Sequence, residues 1–336
     1  MSDVRTGTAS ITDRVRPIAA GGAVVAVHFL GDVPVFVLGE ETLLFWRDGE
    51  EQRVAAHGGG ILASACDGTA VVTGGDDGKV MATNPAGESE TLAADAKRRW
   101  IDHVAITNDS VAWACGKQVF VRTAKRGNKG ERSLELPSSA GGLAFAPKGF
   151  RLAIAHYNGA TLWFPNAPDA KPEALEWKGS HLGVTYSPDG RFLVTTMQEP
   201  MLHGWRLVDG KHMRMSGYAA KVRSTSWGPG AKWLATSGAS QLVVWPFVGK
   251  DGPMGKNPKV LSPSEHRLSA VAAHPRQEVC AAGYEDGMLL LTRIEDGAEV
   301  LARAAAGSPI TALAWNAVGN RLAFGTEDGA AGIIAL

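Results

Sequence analysis

"VTYSPDGRFLVTT", residues 184–196, reads as a strand, a tight turn and a second strand. Val184 and Tyr186 alternate with Thr185 on the first arm, Pro188 presets φ for the turn, Asp189 supplies a side-chain acceptor, and Gly190 tolerates positive φ. From Phe192 to Thr196 the chain is again apolar and β-branched, as a returning strand requires. The fold turns on whether this hairpin is local or one copy of a unit that builds the whole chain.

The pattern recurs. "VVAVHFLGD" (24–32), "ILASACDGT" (61–69), "IDHVAITND" (101–109), "GGLAFAPKG" (141–149), "VRSTSWGPG" (222–230), "LSAVAAHPR" (268–276) and "ITALAWNAVG" (310–319) each place an apolar anchor just before a turn. The anchors Phe29, Cys66, Ile106, Phe145, Tyr186, Trp227, Ala273 and Trp315 lie 37 to 46 residues apart, the length that four short strands with their turns need. Second strands end in Gly/Asp/Asn turns such as "TGGDDGKV" (73–80) and "AGYEDGMLL" (282–290), and third strands often end in Trp, as in "TLLFWRD" (42–48) and "QLVVWPF" (241–247).

These repeats resemble the WD-repeat β-propeller family over essentially the whole chain, with His57, nine residues before its anchor, where the family's Gly-His histidine sits. The resemblance and the period imply an all-β, eight-bladed β-propeller of four-stranded antiparallel blades, with seven blades as the alternative if the weak third unit is no blade. Only 21 residues follow Trp315, too few for a fourth strand, so residues 11–20 are expected to supply the outer strand of the last blade and close the ring. Residues 1–10 are then a flexible tail and 11–336 a single domain.

Composition narrows the function. Lys plus Arg and Asp plus Glu both total 34, so net charge is zero and no global field favours nucleic acid. No apolar run is long enough for a leader or a membrane span, which gives the expectation of a cytoplasmic protein with no membrane partner; its oligomeric state is left open, with a monomer favoured. High Ala and Gly content suggests a bacterial source. Cys66, Cys115 and Cys280 stand alone in apolar stretches and read as structural thiols. "GGDDGK" lacks a phosphate-binding pattern and lies between strands, and the nine His have no metal-ligand spacing. No catalytic residue, cofactor or metal is expected.

The resemblance further implies that loops joining fourth to first strands, and second to third strands, share one face that binds a protein or peptide. On this chain they carry Arg98, Arg99, Trp100, Lys178, His181, Tyr218, Lys221, Arg223 and Arg267, with Tyr157 and Tyr284 from the second set. Aromatic and arginine side chains are the types enriched at interface hot spots. The expected function is a non-catalytic interaction or scaffold module. A small-ligand or metal-handling propeller, drawing on His181, His203 and His266 at the channel mouth, is the alternative. The basic segments 124–132 and 249–259 are the nearest thing to a nucleic-acid surface.

Overall fold

The structure, a computed structural model, describes residues 8–108, 110–123, 130–167 and 169–336. Residues 1–7 of the expected tail and 124–129 of the basic segment lie outside the described residues. Two compact units are present: Met1–Leu38 with Tyr218–Leu336 form unit one, and Gly39–Gly217 forms unit two. Among the described residues there is no α-helix, only strands and two short 3-10 turns.

The opening hairpin forms as its residues dictate. Ser187 Oγ donates to Asp189 Oδ1 at 2.6 Å and accepts from Phe192 N at 2.9 Å, while Gly190 takes φ 77° and its N–H donates to Ser187 O at 2.8 Å. Tyr186 is the last residue of its strand, Glu173–Tyr186. Cys66, Phe145, Trp227, Ala273 and Trp315 likewise end their first strands, so the anchors mark equivalent positions.

Unit one holds three antiparallel sheets. The first contains Thr225–Trp227, Trp233–Thr236, Leu242–Pro246 and Lys259–Leu261. The second contains Leu268–Ala273, Val279–Tyr284, Leu289–Arg293 and Glu299–Arg303, and Ala9–Ser10, expected in the tail, adds to its edge in parallel. In the third, Ile310–Trp315, Arg321–Thr326 and Ala330–Ala335 are joined by Val15–Ala19, which pairs with Ala330–Ile334. Val24–Leu30 and Val33–Leu38 form a further hairpin.

Unit two begins with the hairpin Thr42–Arg47 and Glu50–Ala55. Two complete four-stranded sheets follow, from Ile61 to Ala94 and from His103 to Glu135. The third unit, read as the weak one, is therefore intact. The fourth and fifth units are instead one six-stranded sheet running from Ala140–Phe145 to His212–Ser216.

This corrects the expected blade count of eight to seven: among the described residues the strands form seven hydrogen-bonded sheets, with residues 24–55 counted as one. The physical reason is the strand Glu173–Tyr186, which passes through "EWKGSH" without a loop. Its first part pairs with Leu152–Trp163 and its last part with Phe192–Met197. Gly179, at φ 110°, lets the strand continue across that change of partner.

Six strands carry a one-residue register shift, five near their start and one inside Glu173–Tyr186, stepping over Val25, Leu62, Gly141, Leu182, Ser269 and Thr311. Such bulges turn the skipped residue out of the ladder. Val25, Leu62 and Leu182 are accordingly exposed although their sequence neighbours Val24, Ile61 and His181 are buried.

Hydroxyls then stitch first strands together within unit one. Ser224 Oγ accepts from Val271 N at 3.1 Å, Ser226 Oγ accepts from Ala273 N at 2.8 Å, Ser269 Oγ donates to Ile310 O at 2.6 Å, and Thr311 Oγ1 donates to Val24 O at 2.5 Å. Between sheets the core is apolar, as where Ala281, Leu289 and Ala302 pack with Ile310, Leu322 and Phe324.

Candidate functional site

Unit one contains a cavity of about 970 Å³ built from the starts of first strands. The bulged residues Val25, Ser269 and Thr311 lie on its wall beside their neighbours Val24, Leu268 and Ile310. Lys221, Arg223 and Arg267 line it together with Glu285 and Glu327. Arg267 pairs with Glu285 at 3.0 Å. The guanidinium of Arg223 and the carboxylate of Glu327, both exposed, have no hydrogen-bond or ion-pair partner among the described residues.

Three residues expected on the binding face are buried. Tyr218 lies 8% exposed, its hydroxyl 2.7 Å from Thr236 Oγ1 and accepting from Trp245 Nε1 at 2.6 Å; burial pushes its pKa up to about 12. Tyr284 donates to Ser262 O at 2.5 Å and has no exposed surface. His181, inside the long strand of unit two, is held by Thr195 Oγ1 at 2.7 Å and Trp177 O at 3.0 Å. These side chains fasten strands and do not face a partner. Lys178 and Tyr157 are exposed but lie within strands, not in loops.

The Thr partners belong to a recurring tie that sequence reading missed. In unit two, His57 sits with Nε2 2.8 Å from Thr73 Oγ1 and Nδ1 3.0 Å from Asp77 Oδ1, and Asp77 Oδ2 accepts from Gly58 N at 3.1 Å. Burial alone would raise the Asp77 carboxyl, but hydrogen bonds from His57, Gly58 and Lys79 outweigh it and hold it below the ordinary range. Thr73, Thr195 and Thr236 are all fully buried on second strands, each bonded to a ring-bearing residue 14 to 18 positions earlier. A Thr within an apolar second strand was the available signal.

The remaining expected residues, Arg98, Arg99 and Trp100, occupy one loop of unit two. Asp95 Oδ2 accepts from Lys97 N at 3.0 Å and Arg99 N at 2.9 Å, and Arg99 Nη2 donates to Asp95 Oδ1 at 2.6 Å. The Arg99 guanidinium brings the Asp95 carboxyl down to about 2. Arg98 adopts φ 52°, and Trp100 is left 65% exposed beside a second cavity of about 580 Å³.

Of the histidines invoked for a metal, His181 and His203 are buried in unit two with ring centroids 6.3 Å apart, and His266 is exposed in unit one. Among the described residues no group of three or more His, Cys, Asp or Glu is placed to hold a metal ion. The three cysteines are free thiols, and burial pushes Cys280 up to about 12. Among the described residues no helix is long and apolar enough to cross a membrane.

Comparison with known proteins agrees with this architecture. Residues 271–336 match the family model described as the anaphase-promoting complex subunit 4 WD40 domain. The meiotic recombination protein rec14 of Schizosaccharomyces pombe is 28% identical over 150 residues, 43% of this chain and 50% of that protein. The WD repeat-containing protein 1-B of Xenopus laevis is 31% identical over 104 residues, 30% of this chain and 16% of that protein. The matches thus span half or less of these relatives' own length. The crystal structure of the computationally designed Ika8 protein superposes with a TM-score of 0.75 at 17% identity, covering 94% of this chain and 96% of that one, which shows a shared fold.

The class defined by the sheets is an all-β repeat protein. The WD40 match and the WD-repeat relative support the WD-repeat β-propeller family for it. Both relatives are eukaryotic, so they lend nothing to the expected bacterial source.

Proposed function

We propose that this chain is a non-catalytic interaction or scaffold module and that a protein or peptide partner docks in the cavity of unit one. WD40 propellers in general serve as protein-binding scaffolds, which supports the class of function. The observation that carries the site is the pairing of an exposed apolar residue at a bulge with unengaged charges on the same cavity wall. Val25 offers exposed apolar surface, and Arg223 and Glu327 offer charge of both signs.

A polypeptide segment presents that mixture of backbone polar groups and side chains. The Arg267–Glu285 pair, half exposed on both sides, contributes little to stability and is free to exchange for partner contacts. Desolvating Arg223 and Glu327 against opposite charges would supply specificity more than bulk affinity.

Charge reversal tests the reading. Proteins copurifying with the wild-type chain at native abundance are identified, and the same capture is run with the double variant Arg223→Glu, Glu327→Lys. Loss of the partner from the variant, with an unchanged melting temperature, is expected; equal recovery from both rejects the site. The metal-handling alternative finds no donor set among the described residues.

A further inference from the structure

We propose that the Trp100 loop of unit two is a second docking surface, fitted to an acidic segment of a protein partner that carries an apolar side chain beside its carboxylates. The first observation is rigidity around an exposed aromatic. Asp95 N donates to Gly78 O at 2.8 Å, Arg98 N to Asp95 O at 2.9 Å, and Ile101 N to Gly75 O at 3.1 Å, so both ends of the loop are tied to the neighbouring turn. Ile101 is buried at 1% exposure, while Trp100 beside it presents 65% of its surface. A large ring held outward by a fixed backbone loses little conformational entropy on binding, a property of hot-spot anchors.

The second observation is the sign of the charge around the ring. Lys97, Arg98 and Lys117 are exposed, and none of their side chains has a hydrogen-bond or ion-pair partner among the described residues. The charge of Arg99 is offset by Asp95, whose side chain is only 11% exposed. Two carboxylates also line the cavity: Asp102, half-buried, and Glu135, exposed. Beside Trp100 the unpaired cations Lys97, Arg98 and Lys117 outnumber these two carboxylates by one, and carboxylates flanking an apolar group match that excess. The ring takes the apolar group and the ammonium groups take the flanking acids.

The full chain is panned against a random peptide library, alongside Trp100→Ala and the double variant Lys97→Glu, Lys117→Glu. Peptides enriched on the wild type are expected to carry Asp or Glu beside an apolar residue. One such peptide, synthesised and titrated, should lose at least about thirtyfold in affinity on Trp100→Ala, the size of an aromatic hot spot. Its affinity should also fall as salt rises. All three substituted side chains are exposed, so melting temperatures should match the wild type. Arg223→Glu should leave this binding unchanged, which separates failure of this surface from failure of the unit one cavity. Enrichment of basic or uncharged sequences, no enrichment at all, or equal affinity for the Trp100→Ala variant would overturn the proposal.

Discussion

His203 has no exposed surface, lies face to face with Trp177 at 4.0 Å between ring centroids, and has no hydrogen-bond partner on either ring nitrogen. Burial, reinforced by the nearby charges of His212, His181 and Arg214, pushes its pKa down to about 3 from 6.5. The folded imidazole stays neutral while the unfolded one takes up a proton below pH 6.5, so its stabilising effect is complete above that pH. It is lost as pH falls toward 3, at up to about 1.4 kcal/mol per pH unit. Depressed carboxyls such as Asp95, Asp209 and Asp296, with folded values about 2, begin to cost stability only below their ordinary 3.8. Urea midpoints between pH 7 and 4.5 should therefore drop for the wild type and drop less for His203→Phe, and parallel curves would refute this assignment. Nothing in the sequence announced the stacking partner of His203, because Trp177 lies beside Lys178 in a segment read as a loop.

At the scale of strands and sheets, the seams are set by small residues and hydroxyls. A Cβ at Gly283 would fall 2.6 Å from Ile310 Cγ2, and Ile310 is fully buried between its neighbours. Gly283→Ala should cost about 1 to 3 kcal/mol through overpacking, read as a lower denaturant midpoint. An unchanged midpoint would show that the seam can yield. The repeat period and the anchor positions were legible because turn chemistry is local: Pro188, Asp189 and Gly190 act within their own hairpin. The junction at Gly179 was not. Gly and Ser there look like a turn, yet whether a strand stops or bends depends on the partner offered beyond it, which here is Phe192–Met197.

At the scale of the molecule, residue type showed which side chains could bind a partner, but direction decided which of them face solvent. Lys221, Arg223 and Arg267 line a cavity, while Tyr218 and Tyr284, of the same interface-prone type, satisfy their hydroxyls inside the protein. Each phenol finds an acceptor many residues away, a contact that no local pattern announces. The bulges at Val25, Ser269 and Thr311 on the cavity wall were equally hidden, since they shift register without a distinctive residue. A protein partner seated in this cavity must come within reach of Val25, so this position is replaced by a photo-crosslinking amino acid and the chain is irradiated with its copurified partner. A crosslink to the partner that disappears with Arg223→Glu is expected; the same partner retained without any crosslink from Val25 would show that it docks elsewhere.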